Sequence, residues 1–243
     1  MANNPTRARS ADLWRAGTDR WAGVRAAGVV WDPPAGPTLV IVPHPDDETL
    51  GCGGLIARQR SRNVPVTVYA VTDGEAAYPG VDRDRLAVRR RAEQRAALDA
   101  LCLGDTVHRL GMPDGSVAAH ESALGALIAH GAKSHQLVVA PWVHDHHADH
   151  DACGRAARTA LDGTDIELIH TLFWAWHRAE HDELHSQRLL TISLTDAERS
   201  ARDRAIACHA SQVTDIVASP MLTCSDLEPL RWSTEHYVTT TPA

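Results

Sequence analysis

The chain has 243 residues, of which 44% are apolar and 23% are charged, and its formal net charge is −7. This length and composition are typical of one folded domain with a buried core, and they exclude a chain that is largely disordered. The acidic balance argues against nucleic-acid binding, which needs a basic surface, and the lack of an apolar run of about 20 residues argues against a membrane span.

The first 36 residues predict a helical extension. Trp14 and Trp21 stand at a helical interval, and a run rich in proline, 32–37, then ends the helix. This terminus lacks the apolar core of a signal peptide, so we expect a cytoplasmic protein. The predicted domains are therefore an extension at 1–36 and a main domain at 37–243.

After the extension, strand and helix patterns alternate about four times. Apolar runs predict strands at 38–42, 64–71, 107–110, 137–140 and 167–176, and helical patterns lie at 50–60, 86–103, 122–130 and 152–161. Weaker patterns predict a strand at 189–194 and a helix at 196–209, and the last thirty residues look irregular. The alternation predicts an α/β fold: a Rossmann-like open parallel sheet with helices on both faces.

The five cysteines predict no structural cross-link. Their number is odd, their spacings are wide, and no C-x-x-C pair occurs. A disulfide framework and a cysteine-rich zinc site are both disfavoured.

Two polar motifs follow predicted strands. His44-Pro45-Asp46-Asp47-Glu48 comes after the first apolar run, and 144–151 reads HDHHADHD after the run at 137–140. Open parallel sheets bind ligands at the carboxyl ends of their strands, so both motifs should lie at one edge of the sheet. Each motif alone has an ordinary explanation, a helix cap for the first and a solvated surface tract for the second. Their occurrence together predicts a metal site.

The residue types in these motifs suit a catalytic divalent ion. Zinc takes imidazole and carboxylate ligands, and a catalytic site uses three of them and leaves a position for water. His44 and Asp47 lie three residues apart on a tight turn, and the second motif would supply the third ligand. A neighbouring carboxylate, Asp46 or Glu48, could accept the proton of the water, and a second, protonated imidazole could stabilise an oxyanion.

These motifs resemble those of the LmbE-like or PIG-L-type deacetylase family. The resemblance covers residues 38–237 and rests on the HPDD motif and on His147-Ala148-Asp149-His150, which matches the family's H-x-D-H motif. Four weaker matches accompany them: Thr72-Asp73-Gly74-Glu75, Arg90-Arg91-Ala92-Glu93, Leu110-Gly111-Met112-Pro113-Asp114-Gly115 and His209-Ala210-Ser211-Gln212.

The resemblance implies a zinc-dependent enzyme that deacetylates an N-acetyl amino sugar or a sugar-containing metabolite. It implies His44, Asp47 and His150 as zinc ligands. The further roles that it implies are a general base for Asp46, an oxyanion stabiliser for His147, an orienting carboxylate for Asp149, and substrate contacts for Arg90 and Asp114.

Some alternatives stay open at the level of the sequence. The enzyme could cleave a non-sugar amide, or the chain could be a metal-containing binding module without turnover. Fe²⁺ or Co²⁺ could replace zinc, because two nitrogens and a carboxylate accept several divalent ions. His144 and His146 exceed the family pattern, and we expect them to face solvent. The expected partner is a small acetylated molecule, not nucleic acid or membrane, and a homo-oligomer stays open.

Overall fold

The computed structural model describes residues 19–104, 106–214 and 220–239. Its strands are β1 (Val29–Val30), β2 (Thr38–Val42), β3 (Val66–Ala70), β4 (Val107–Arg109), β5 (Leu137–Pro141), β6 (Glu167–Thr171), β7 (Leu189–Ser193) and β8 (Thr234–Thr239). They form one sheet in the order β1-β7-β8-β6-β5-β2-β3-β4. Every neighbouring pair is parallel except those that include β8, which runs antiparallel between β6 and β7.

Apart from the first, which precedes β1, the helices of the described residues lie between these strands in the chain, and helices pack on both faces of the sheet. They are α1 (Ala22–Ala26), α2 (Asp47–Ser61), α3 (Arg83–Ala100), α4 (Glu121–Gly131), α5 (Ala148–Leu161), α6 (Ala175–Arg178), α7 (His181–His185), α8 (Asp196–Cys208) and α9 (Ala210–Val213). None of them combines the length and the apolar character that crossing a bilayer demands.

The core has one layer on each side of the sheet because successive strand residues point to opposite faces. In β2, Val40 and Val42 join the layer that contains Leu55 of α2 and Leu98 of α3. Leu39 and Ile41 join the layer of α4 and α5. Strand β2 is buried along its whole length, as expected for a central parallel strand. The predicted fold class is confirmed.

The predicted strand at 167–176 is too long. Strand β6 ends at Thr171, and helix α6 follows at Ala175. The buried carboxylate of Asp145 causes the turn, because it accepts the backbone N–H groups of Phe173 at 3.0 Å and Ala175 at 2.9 Å. These bonds from a distant loop are invisible in the local apolar pattern.

The prediction of an irregular C-terminus is also wrong, because β8 inserts there into the middle of the sheet. Its Glu235 and His236 hide the strand pattern, since buried strands rarely carry such residues. Glu235 is buried because it caps the second half of α2, which is kinked at Cys52. Its carboxylate accepts the N–H groups of Gly54 at 2.7 Å and Leu55 at 2.9 Å.

The predicted N-terminal extension lies partly outside the described residues, and so does its Trp14. The described part contains the short helix α1, which follows the buried Trp21, and the strand β1, which the sequence did not predict. Trp21 donates its indole N–H to the carbonyl oxygen of Trp176 at 2.8 Å. The boundary at 36/37 stays a prediction.

Candidate metal centre and active site

The two polar motifs meet at the carboxyl ends of neighbouring strands. Strand β2 pairs directly with β5, so the turn after β2 and the loop after β5 lie side by side. Helix α2 begins at Asp47, and α5 begins directly after His147. The site therefore stands at the amino ends of two helices, on the edge of the sheet that the sequence predicts.

Two of the predicted metal ligands, His44 and His150, contact a carboxylate oxygen of the third, Asp47. Asp47 Oδ2 lies 3.2 Å from His44 Nδ1 and 3.3 Å from His150 Nε2. The same oxygen accepts the backbone N–H of His44 at 2.9 Å. His150 Nε2 is buried and has no hydrogen-bond partner among the described residues. A free imidazole nitrogen beside a carboxylate and a second imidazole fits a divalent ion.

Other ligand sets are present in the same place. Ligand atoms of His44, His147 and His150 lie within 4.8 Å of one another, and so do those of His44, Asp114 and Asp149. Asp47 belongs to neither group, although its Oδ2 lies close to nitrogens of His44 and His150. Asp47 is favoured as the acidic ligand because its Oδ2 lies beside nitrogens of both His44 and His150, whereas Asp114 and Asp149 pair with His44.

Charges around the ligands oppose the effect of burial on their pKa values. Burial alone would lower the pKa of His150, but Asp47 and Asp145 raise it to about 9. Burial alone would raise the pKa of Asp47, but His150 and His44 hold it well below its usual range. Protons thus occupy the imidazoles when no cation is bound, and a metal ion has to displace them.

Carboxylates behind the ligands fix both rings. Asp145 Oδ2 lies 2.8 Å from His150 Nδ1, and the Nε2 of His44 lies 3.1 Å from Asp114 Oδ1 and 3.2 Å from Asp149 Oδ2. Such partners set the orientation of a ligating imidazole. The neighbouring imidazole that Asp149 contacts is thus His44. The sequence did not identify the role of Asp145, whose position five residues before His150 carried no specific signal.

Asp46 is buried at the wall of the cavity. Its carboxylate lies 3.2 Å from Arg90 Nη2. Burial raises the pKa of Asp46 and the charge of Arg90 lowers it, and the resulting pKa is about 7. A carboxyl group with this pKa can both accept and release a proton near neutral pH, as a general base and acid must.

His147 faces the two other histidines. Its ring centroid lies 5.0 Å from that of His44 and 4.8 Å from that of His150, and its Nδ1 has no hydrogen-bond partner in the described part of the chain. Burial and the charges of the other two imidazoles lower the pKa of His147 to about 3. This low pKa favours the neutral ring of His147, whereas the sequence predicted the protonated one. The neutral ring still carries one N–H group that can donate a hydrogen bond.

Both predicted substrate contacts, Asp114 and Arg90, line the cavity, and both already form hydrogen bonds within the protein. Asp114 lines the cavity, while its Oδ2 accepts the N–H of Ala76 at 2.8 Å. Arg90 also lines the cavity, but its terminal nitrogens donate to the carbonyl oxygens of Gly74 at 3.0 Å and Pro45 at 2.9 Å. The guanidinium of Arg90 is therefore already bound within the protein.

The cavity holds about 290 Å³ and has a polar and an apolar side. The polar lining includes His44, Asp46, Asp47 and Gln212, and the apolar wall consists of Leu50, Phe173, Trp174, Met221 and Leu222. Gln212 is placed by its neighbour Ser211, whose N–H and hydroxyl donate to Glu93 at 2.9 and 2.6 Å. The sequence singled out this Gln212 only as part of a weak motif.

The extra histidines lie away from the ligands. His144 is exposed and packs its ring against Trp142, and His146 Nε2 lies 3.4 Å from Glu183 Oε1. Neither belongs to a group of potential metal ligands within the described ranges. Trp176 and His177 are buried, while Trp174 reaches the cavity.

Comparison with known families gives a match over half of the chain. The model of the PIG-L family, described as GlcNAc-PI de-N-acetylase, matches residues 39–161, which are 123 of 243 residues. This range contains the two polar motifs and all the predicted site residues.

Two curated relatives share part of the sequence. The probable N-acetyl-alpha-D-glucosaminyl L-malate deacetylase 2 of Bacillus subtilis (strain 168) is 35% identical over 132 residues, which are 51% of this chain and 59% of that protein. The 1D-myo-inositol 2-acetamido-2-deoxy-alpha-D-glucopyranoside deacetylase of Nocardia farcinica (strain IFM 10152) is 46% identical over 78 residues, which are 28% of this chain and 26% of that protein. The chain thus spans at most 59% of the length of these two relatives.

A solved structure shares the fold over most of the chain. The zinc-inhibited form of teicoplanin deacetylase Orf2 superposes with a TM-score of 0.64 and 20% identity, and the match covers 83% of this chain and 97% of that one. At this identity the likeness concerns the fold alone.

Proposed function

Because this chain belongs to the PIG-L family, we propose that it is a zinc-dependent hydrolase that removes the acetyl group from an N-acetylglucosamine-containing substrate. The two curated relatives carry the names of deacetylases of such compounds. One observation carries the proposal. His44 and His150 meet at one carboxylate oxygen of Asp47, and His44, Asp47 and the buried Asp46 line a cavity at the carboxyl ends of β2 and β5.

Zinc held by His44, Asp47 and His150 would act as a Lewis acid on the acetyl carbonyl and would lower the pKa of a water molecule. Asp46 faces the same cavity, and its carboxylate would take a proton from that water. The oxygen of the water forms a bond to the acetyl carbon, and the carbonyl oxygen gains negative charge.

His147 stabilises the oxyanion, and Asp46 supplies the proton that the leaving nitrogen needs. The neutral ring of His147 donates its N–H to the developing oxyanion. Asp46 then returns its proton to the nitrogen of the amide, the C–N bond breaks, and acetate and a free amine leave. Asp114 and Gln212 offer hydrogen-bonding groups to sugar hydroxyls, while the apolar wall excludes water from the acetyl side.

The test combines metal analysis with acetate release from a panel of N-acetyl compounds. The panel contains free and glycosidic N-acetylglucosamine, acidic conjugates, and N-acetyl amides without a sugar. We expect about one zinc ion per chain and acetate release only from the sugars, in the metal-loaded protein.

The variant Asp46→Asn separates binding from turnover. It should keep zinc and lose turnover by at least about 100-fold, because it lacks the proton acceptor. His144→Asn, in an exposed histidine of the second motif, is the control and should keep both. Zinc without acetate release would favour the binding module, acetate only from non-sugar amides would favour the amidase, and no metal after reconstitution would contradict the mechanism.

A further inference from the structure

The turn that carries Asp46 is held in an unusual backbone conformation. Asp46 has φ 144° and ψ −25°, a region that residues with a side chain rarely adopt. Such a conformation persists only when surrounding contacts impose it. The orientation of the Asp46 carboxylate therefore depends on the groups that hold this turn.

Arg90 of α3 holds the turn from one side. Its side chain is buried, Nη2 donates to the carbonyl oxygen of Pro45 at 2.9 Å, and the same nitrogen lies 3.2 Å from Asp46 Oδ2. One guanidinium thus contacts both the backbone before Asp46 and its carboxylate. The rigid planar fork of arginine suits this double contact better than a lysine would.

The loop after β3 fixes the guanidinium in turn. Arg90 Nη1 donates to Gly74 O at 3.0 Å, and a Cβ atom at Gly74 would lie 2.2 Å from that nitrogen. Gly74 also has φ +64°, which disfavours a side chain there. The guanidinium therefore packs so closely against Gly74 that a side chain at this position would displace it.

Gln94 holds the other side of the turn through Glu48. Gln94 stands one helical turn after Arg90 and is fully buried, and its Nε2 donates to Glu48 Oε2 at 3.0 Å. The same oxygen of Glu48 lies 3.4 Å from the backbone nitrogen of Asp46, which donates to it. Arg90 thus holds the carbonyl oxygen of the Pro45–Asp46 peptide group, and Gln94, through Glu48, supports the N–H of the same group.

We propose that Arg90 and Gln94 are positioning residues, which keep the carboxylate of Asp46 directed into the cavity. This inference rests on the proposed function for Asp46. It assigns Arg90 to the base rather than to the substrate, in contrast to the role that the family resemblance implies. It also assigns a role to Gln94, for which the sequence motifs gave none, and it makes Glu48 a support of the turn rather than the alternative proton acceptor.

The test uses Arg90→Met, Gln94→Met and Arg90→Lys in the full-length, zinc-loaded protein, with the N-acetyl sugar that the wild type cleaves fastest. A displacement of a reacting group by about 1 Å can cost about 100-fold, so we expect both Met variants to lose kcat by about 10- to 100-fold. KM should stay within about twofold, since no ground-state contact is removed. Arg90→Lys should recover part of kcat, because one ammonium can contact Pro45 O or Asp46.

Two controls distinguish positioning from a general loss of stability. Gln59→Met removes another fully buried glutamine, which bonds Pro34 O and Thr38 Oγ1 at the opposite end of β2. Arg85→Met repeats the arginine substitution on the exposed face of α3. Both should keep kcat. A raised KM with unchanged kcat in Arg90→Met would instead make Arg90 a substrate contact, and an equal loss of kcat in Gln59→Met would overturn the inference.

Crystal structures of the zinc-loaded Met variants give a readout that needs no substrate. We expect a changed Asp46 backbone and carboxylate with His44, Asp47 and His150 in place. An unchanged Asp46 in both variants would overturn the inference. If the wild type releases no acetate, the proposed function fails, but these structures still decide whether Arg90 and Gln94 position Asp46.

Discussion

The carboxylate of Asp145 shows how a single residue can serve the site without facing the cavity. It is fully buried, and it contacts His150 Nδ1 as well as three backbone N–H groups after β6, those of Phe173, Trp174 and Ala175. The carboxylate of Asp145 therefore orients both the ring of His150 and the part of the apolar wall that Phe173 and Trp174 form. This links the shape of the cavity to the proposed metal ligand.

At this scale we predict that Asp145→Asn weakens zinc binding. The loss of a carboxylate behind a ligating histidine typically lowers metal affinity by about 10- to 100-fold. Competition with a chelator of known affinity measures the change. Asp165→Asn, at an exposed carboxylate, is the control, and equal affinities for the two variants would show that Asp145 does not act through His150.

The individual roles of the second motif were only partly predictable. Composition alone indicates that several of the histidines and aspartates at 144–151 bind a metal, because a surface loop has no packing reason for them. It does not indicate which of them point inward. Asp145 and Asp149 are buried whereas His144 is exposed, because the start of α5 and the turn after β6 decide which side chains face the sheet.

Helix α5 reaches the site only because a glycine lets it approach β5. A Cβ atom at Gly154 would lie 2.5 Å from the carbonyl oxygen of Pro141 and 3.0 Å from the nitrogen of Val143. Both atoms are backbone, so no side-chain movement can relieve the contact. Gly154 stands one turn after His150, and the distance of the helix from the sheet therefore sets the position of that ligand.

At the element scale we predict that Gly154→Ala destabilises the protein and weakens zinc binding. Overpacking of this kind costs about 1–3 kcal/mol, measured by urea unfolding with and without zinc. Gly125→Ala in α4 is the matched control, because its nearest atom lies at 3.7 Å. That variant should gain up to about 1 kcal/mol from helix propensity. A neutral Gly154→Ala would contradict the tight packing.

Helices and strands with a regular apolar pattern were predicted closely, and β8 was missed for a specific reason. The apolar runs of β2, β3 and β5 follow from burial within the sheet, which hydrophobicity records directly. In β8, Glu235 is buried because α2 is kinked and offers two free N–H groups to it. A pattern of hydrophobicity cannot show a partner that lies 180 residues away.

Buried histidines make the stability of the whole molecule depend on pH. His170 on β6 is buried and lies 2.9 Å from the carbonyl oxygen of Pro141 through Nδ1. Burial lowers the pKa of His170 from 6.5 to about 4. The unfolded chain takes up a proton below pH 6.5, whereas the folded protein does so only near pH 4. The contribution of His170 to the free energy of unfolding is therefore fully present above pH 6.5 and is lost as the pH falls toward 4.

We predict that His170→Asn reduces this pH dependence, since the amide can keep a donor toward Pro141 while it cannot titrate. One histidine contributes about 1.4 kcal/mol per pH unit to the slope of the free energy of unfolding between the two pKa values. Urea unfolding at several pH values from 4.5 to 7.5 measures the slope. His120→Asn, at an exposed histidine, is the control, and identical slopes for both variants would show that His170 titrates alike in both states.

The sequence by itself determined the fold class, the edge of the sheet that carries the site, and the residue types that meet there. These follow from local information, namely apolar periodicity and polar motifs directly after strands. Only the tertiary structure decided that Arg90 contacts Asp46, that Asp149 faces His44, and that β8 lies between β6 and β7. Each of these depends on groups distant in the chain, whose burial and hydrogen bonds arise only when the helices pack on the sheet.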